Sequence, residues 1–210
     1  MKAYRVHEYG DAAKFVEDEV NKPSAKQGHV VVEVKASSLN PVDHKFLKSD
    51  LGINPALPGI LHMDVAGVIT EVGEGVTAFK TGDEIYGCAG GLQGEAGNIE
   101  GALADFMLAD NNLIALKPKS LSFSESAALP LVTITAWEGL FDRAHIKKED
   151  HVLIHGGTGG VGHIAIQLAR QHGARVATTV SSEDKAKVAR GLGAEDIIFY
   201  RDEKEIGRAS

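Results

Sequence analysis

The segment Gly156-Gly157-Thr158-Gly159-Gly160-Val161-Gly162 holds five glycines in seven residues, and Gly157, Gly159 and Gly162 fall in the spacing G-x-G-x-x-G. Each glycine of that spacing has its own task. One permits a sharp turn, a second lets the backbone approach a pyrophosphate, and the third lets a helix pack closely on a strand. The phosphates then rest on free N–H groups at the positive end of the following helix. A bare match means little without its flanks. Before it, His151-Val152-Leu153-Ile154-His155 reads as a short buried strand; after it, Ile164, Ala165, Leu168 and Ala169 recur at helical spacing. With that context, Gly157, Gly159, Gly160, Val161 and Gly162 read as a dinucleotide-binding turn. A nucleoside-triphosphate loop would need Lys then Ser or Thr after its last glycine, to reach the terminal phosphates; His163-Ile164 stands there instead.

The loop sits inside a β-α-β-α-β rhythm. The first helix spans His163 to His172, with Gly173 as C-cap, and Arg175 to Val180 is the second strand. Ser182 caps a second helix that runs to Leu192, with Glu183 and Asp184 in its first turn and Gly193 at its end. Ile197-Ile198-Phe199 is the third strand. Such alternation builds a parallel sheet. Upstream the character differs. Val30 to Ala36, Val65 to Val72 and Asp83 to Gly87 are strands divided by glycine turns, which points to a small antiparallel barrel or sandwich. Cys88 to Gly101, with five glycines and few apolar residues, reads as an exposed loop. Ser122 to Leu140 is helix-prone, with Ser124 as a possible N-cap and Pro130 as punctuation. The expected class is α/β: a β-barrel domain over 1–120, then part of a parallel dinucleotide-binding sheet over 121–210.

Composition narrows the function. The 210 residues are 43% hydrophobic and carry 22 basic against 29 acidic side chains, a net charge of −7. That balance is ordinary for a soluble globular protein and argues against nucleic acid, whose binders need basic patches. One cysteine, Cys88, excludes a disulfide scaffold. The opening Met1-Lys2-Ala3-Tyr4-Arg5-Val6 has no apolar signal core, and no run nears the ~18 apolar residues of a membrane span. A cytoplasmic protein with a small-molecule partner is expected, and no membrane partner.

Residues along most of the chain resemble the medium-chain dehydrogenase/reductase superfamily, in its zinc-free quinone oxidoreductase (zeta-crystallin-like) branch. They include Leu39-Asn40-Pro41-Val42-Asp43, Pro58-Gly59, Asp64-Val65-Ala66-Gly67-Val68 and Val72-Gly73-Glu74-Gly75-Val76. Gly82-Asp83, Gly101-Ala102-Leu103-Ala104-Asp105, Ala127-Ala128-Leu129-Pro130, Thr135-Ala136-Trp137 and the glycine loop continue the pattern. The resemblance implies a GroES-like β-barrel domain followed by the first half of a Rossmann sheet. Short-chain dehydrogenases offer a rival match through Gly156, Gly160 and Gly162, with Tyr200 and Lys204 mimicking their Y-x-x-x-K. In that family, however, the glycines open the chain and the tyrosine lies on a long helix.

Metal divides the superfamily. The zinc-ligating cysteine and histidine of its metal-dependent members fall on Asn40 and Met63, and the four-cysteine structural lobe would fall where only Cys88 occurs. The resemblance therefore implies no zinc, although His44, His62 and Asp64 are possible partners for some other metal. Hydride would pass from nicotinamide to an electron-poor carbon, of a quinone or an α,β-unsaturated carbonyl. Asn40 and Asp43 are the candidate catalytic residues beside the nicotinamide. Asp43 has a second reading, tying a loop through backbone N–H groups. Lys45 is a possible proton source or a solvated lysine, Tyr86 reads as strand packing, and Cys88 as an inert thiol. Thr135 corresponds to a family threonine near the cofactor phosphates. NADP(H) is expected ahead of NAD(H). The second strand runs Thr179-Val180-Ser181-Ser182 with no acid to hold a ribose 2′-hydroxyl, while Lys185 and Tyr200 match the family's 2′-phosphate contacts.

The resemblance also implies a second half-sheet that has no counterpart before Ile206-Gly207-Arg208-Ala209-Ser210. The chain is thus expected to be truncated, to bind cofactor weakly and to form dimers or larger species through an open strand edge. The competing readings are a catalytically inactive NADP(H)-binding scaffold or fragment, and a relative of the zinc alcohol dehydrogenases.

Overall fold

Antiparallel strands carry the first of two units, Met1–Leu131, in the computed structural model, which describes residues 1–94 and 97–201. In chain order this unit has β1 (Lys2–Val6), β2 (Phe15–Glu19), β3 (His29–Ser37), helix α1 (Pro41–Lys48), β4 (Gly59–Ile60) and β5 (Asp64–Val72). There follow β6 (Glu84–Cys88), β7 (Leu92–Gly94), β8 (Gly97–Ile99), β9 (Phe106–Asp110), β10 (Ile114–Leu116) and helix α2 (Phe123–Ala127). β-Branched residues of β3 and β5, Val30, Val32, Val65 and Ile69, are buried against Ile85, Met107 and Ile114. The main sheet has the order β10-β6-β5-β3-β9, and a smaller one runs β2-β1-β4.

Among the described residues the main sheet rolls but does not close. β9 and β10 are its two edges, yet only the turn Asn111–Leu113 separates them in sequence. The four steps from Asp110 to Ile114 span at most ~14 Å, so the edges must lie near each other. Asp110 accepts from the Asn112 N–H (2.8 Å) and turns the chain before a β9–β10 ladder can form. The barrel expected from sequence is therefore an open, rolled sheet.

Three local expectations are corrected. Cys88 to Gly101 is not an exposed loop: β7 and β8 pair as a hairpin, and Gly90, Gly91 and Gly101 are buried at its base. A Cβ on Gly101 would stand 2.0 Å from the Leu61 carbonyl oxygen, so glycine here serves close backbone approach. Glu95 and Ala96 lie outside the described residues. The cap of α2 is Ser122, not Ser124. Ser122 Oγ accepts from the Glu125 N–H (3.2 Å) and Glu125 accepts from the Ser122 N–H (2.8 Å), a reciprocal box that Ser124 cannot form with Ala127. The stretch to Leu140 is also not one helix: after α2 comes α3 (Pro130–Trp137), with Pro130 at its start, then a π-helical stretch, Glu138–Arg143.

The second unit, from Val132 on, carries the expected alternation: β11 (His151–Ile154), α4 (Gly160–His172), β12 (Arg175–Val180), α5 (Glu183–Leu192) and β13 (Asp196–Phe199). The strands pair in parallel in the order β11-β12-β13. Buried alanines on α4 (Ala165, Ala169) and α5 (Ala186, Ala189) let both helices lie close to Val176 and Val180 of β12. Gly173 and Gly193 end the helices in the left-handed region (φ +96° and +110°), as their C-cap reading requires. Ser182 caps α5 through the Lys185 N–H. α4 begins at Gly160, earlier than the spacing of its apolar residues indicated, so Gly162 lies inside its first turn. Among the described residues no helix is long and apolar enough to cross a membrane.

Candidate functional site

The glycine loop links the end of β11 to α4, at the carboxyl ends of the parallel strands, where ligands of such sheets bind. Gly156 makes the turn (φ +66°), one residue ahead of the motif's first glycine. Its carbonyl accepts from the Gly159 N–H (2.8 Å). Gly157 and Gly162 are close-approach positions. A Cβ on Gly157 would stand 2.1 Å from Thr178 Oγ1, and one on Gly162 would stand 2.3 Å from the Gly156 oxygen. Gly159, Gly160 and Val161 are exposed on the rim. The first N–H groups of a helix have no intrahelical acceptor, and the bonding of α4 starts with His163 N–H to the Gly159 oxygen (3.0 Å). The amides of Gly160, Val161 and Gly162 thus have no intrahelical acceptor, and they stand at the positive end of a thirteen-residue helix.

Two threonines under the loop escaped the sequence reading. Thr178 Oγ1 donates to the Ile154 carbonyl (2.6 Å), and Thr179 Oγ1 accepts from the Gly156 N–H (2.9 Å). Both are buried in β12. Beyond β12 lie Ser181, half-buried, and Lys185, exposed in the first turn of α5. Lys185 makes no ion pair among the described residues, whereas its neighbours do: Lys187 with Asp184 and Arg190 with Glu183. Tyr200 is exposed in the turn after β13, its N–H bonded to the Val180 oxygen (3.3 Å). The loop, Ser181, Lys185 and Tyr200 thus share one end of one sheet. Thr135 is exposed on α3. Lys204, partner of Tyr200 in the rival Y-x-x-x-K match, lies outside the described residues.

The first unit brings Asn40 and Asp43 together. Asp43 is fully buried, and its carboxylate accepts from the Asn40 N–H (2.7 Å) and the His62 N–H (3.2 Å). Those are the contacts of a residue that ties loops. Asn40 donates from Nδ2 to Asp64 Oδ2 (2.8 Å) and Ser38 Oγ (3.1 Å). Asp64 is the hub of this group, and its place there was not foreseen. It also accepts from Ser38 Oγ (2.6 Å) and, through Oδ1, from the Leu131 N–H (2.9 Å).

Burial pushes the Asp64 carboxyl above its ordinary range, while the bonds from Ser38, Asn40 and Leu131 pull it back. Cys88 faces Asp64 across the β5–β6 ladder; burial, then the Asp64 charge and hydrogen bond, push its thiol up to about 12. Burial lowers His62, against the raising charges of Asp43 and Asp64. Its ring Nδ1 lies 3.0 Å from Ser37 Oγ, and its backbone is left-handed (φ +71°). Asn40 turns a donor group towards Asp64, Met63 offers only a thioether, and no three His, Cys, Asp or Glu side chains converge on a metal position among the described residues. His44, His62 and Asp64 form no such group.

Comparison with known proteins gives two family matches: the alcohol dehydrogenase GroES-like domain over residues 26–119 and the zinc-binding dehydrogenase domain over 160–209. The chain is 40% identical to a 2-methylene-furan-3-one reductase of Solanum lycopersicum, over 97% of this chain and 53% of that protein. It is 34% identical to a quinone oxidoreductase of Rattus norvegicus, over 99% of this chain and 61% of that protein. It superposes on the quinone oxidoreductase of Escherichia coli complexed with NADPH with a TM-score of 0.79 at 30% identity, covering 97% of this chain and 60% of that one. The chain spans between about half and three fifths of these relatives' length.

Proposed function

The chain belongs to the medium-chain dehydrogenase/reductase superfamily, with a GroES-like unit followed by the start of a Rossmann-like one, and on that premise we propose that it is part of an NADP(H)-dependent reductase of quinones or α,β-unsaturated carbonyls that works without metal. The open cradle of amides at the start of α4 carries the reading, since glycines at Gly157 and Gly162 hold the backbone where a pyrophosphate could meet it. The bound nicotinamide supplies hydride. The chain's own groups bind and orient. Gly160, Val161 and Gly162 offer their amides to the pyrophosphate. Ser181, Lys185 and Tyr200 flank the place of a 2′-phosphate, with no carboxylate at the end of β12 to repel it. Thr135 contributes a hydroxyl towards the phosphates. Asn40 is the candidate catalytic amide and Asp43 holds its backbone, with Asp64 engaging its side chain.

Zinc does not suit the donors at Asn40, Met63 and Asp64: one is an amide N–H, one a thioether, and the carboxylate is already engaged by three donors. No step is assigned to metal. Titration with NADPH and NADH, followed by NADPH oxidation with a small quinone and with an enone, tests the reading. Tighter binding of NADPH and acceptor-dependent oxidation support it. Equal affinity for the two dinucleotides would remove the cofactor assignment, and cofactor binding without oxidation of either acceptor would leave a binding scaffold.

A further inference from the structure

We propose that Thr179 is a positioning residue for dinucleotide binding, clamping the glycine loop so that its remaining amides face the pyrophosphate. The inference rests on the dinucleotide reading above and assigns a role to a side chain that touches no ligand itself. Regular pairing of β11 with β12 ends at Ile154 and Thr178. One residue later Thr179 continues the connection by other means. Its Oγ1 accepts from the Gly156 N–H (2.9 Å) and its carbonyl accepts from the Gly157 N–H (3.3 Å). Both leading amides of the loop are therefore directed inward.

The constraint propagates outward through Gly156. Held in the left-handed region at φ +66°, Gly156 presents its carbonyl to the Gly159 N–H (2.8 Å). The same oxygen stands where a Cβ on Gly162 would be only 2.3 Å away, so it is packed against the first turn of α4. Gly159 in turn is the N-cap of α4 and accepts from His163 (3.0 Å). A continuous run of contacts thus leads from the Thr179 hydroxyl to the helix start that carries the amides of Gly160, Val161 and Gly162. Thr178 fixes the other side, with its hydroxyl on the Ile154 carbonyl (2.6 Å). At 3% exposure Thr179 is sealed from solvent, so no water can replace its hydroxyl without the loop moving.

Thr179→Val keeps the shape and removes the acceptor; Thr179→Ser keeps the acceptor. The pyrophosphate is common to NADPH and NADH. The clamp therefore predicts that Thr179→Val weakens both dinucleotides by about the same factor, roughly tenfold, the cost of one lost hydrogen bond's worth of ordering. Their ratio stays unchanged, and Thr179→Ser restores both. Affinities are read by calorimetry on the 210-residue chain, with amide exchange at Gly156 read in parallel. That amide is protected in the wild type and in Thr179→Ser, and exchanges faster in Thr179→Val. Unchanged affinities in a folded Thr179→Val, or a loss confined to NADPH, would overturn the clamp. If Thr179→Val does not fold, Thr179→Ser against Thr179→Ala makes the same comparison. If the wild type binds neither dinucleotide, the dinucleotide reading fails on its own; Gly156 exchange then still decides whether Thr179 holds the loop.

Discussion

Lys185 stands in the first turn of α5 without an ion pair among the described residues, while the charges around it are matched. A free ammonium beyond an acid-free strand end is suited to a 2′-phosphate. A charge-assisted hydrogen bond to phosphate contributes roughly 1.5–3 kcal/mol, so Lys185→Ala should narrow the NADPH-over-NADH preference by at least ~10-fold. Calorimetry with both dinucleotides reads it, and an unchanged ratio would remove Lys185 from the site. His62 gives a pH signature. Burial disfavours the charged ring in the fold more strongly than Asp43 and Asp64 favour it. The unfolded chain then binds the proton more readily. The stabilising contribution is complete above the ordinary value of 6.5 and is lost as pH falls from there towards the lowered folded value. Asp64, shifted upward, works in the opposite sense. Urea unfolding between about pH 7.5 and 5.5 should therefore show stability falling with acid. His62→Asn, which tolerates the left-handed backbone, should flatten that slope; an equally steep slope in the variant would exclude His62 as its source.

At the scale of the element, the loop–helix junction is the most constrained piece of the second unit. Gly162→Ala would drive a methyl to within 2.3 Å of the Gly156 oxygen, where its nearest neighbours are backbone atoms of Gly156 and Gly157 and no flexible side chain can give way. The expected outcome is loss of dinucleotide binding and a melting point lowered by several degrees, read by calorimetry; a variant that binds as well as the wild type would mean the cradle is not where the cofactor rests. Elements such as α4, α5 and the parallel strands were legible because their signals are local: Gly173, Ser182 and Gly193 each act on the neighbouring turn. α1 was missed although Asn40-Pro41 and Asp43 form an N-terminal signature, because eight residues leave little periodicity to see. The hairpin of β7 and β8 was hidden for a different reason. Its glycines are required by backbones distant in sequence, Gly101 by Leu61 for example, so they resembled loop glycines. The site divides in the same way. The glycine loop and the pair Asn40–Asp43 are contiguous or nearly so, whereas the donors to Asp64 come from 24, 26 and 67 residues away.

For the whole molecule, two expectations concern what it carries and how it associates. Purified, tag-free protein should contain far less than one zinc per chain by elemental analysis, given the donors at Asn40, Met63 and Asp64; about one zinc per chain would contradict the metal-free reading. β11 is an edge of the parallel sheet among the described residues, and its Val152-Leu153-Ile154 carries no lysine or proline to deter pairing. Light scattering should find dimers or larger species, and a monodisperse monomer at all concentrations would show the edge to be harmless. The single tryptophan and the single cysteine fall in different units: Trp137 packs at a tilt on Phe141 (4.5 Å between centroids) in the second, and Cys88 lies in the first. Trp137 emission therefore reports on the second unit. A thiol pushed up to about 12 and partly buried is alkylated slowly until its surroundings open, so the mass of one adduct on Cys88 marks the opening of the first unit. The unmodified chain already contains one native reporter for each half, and the order in which the halves unfold can be read from emission and mass in a single denaturant series.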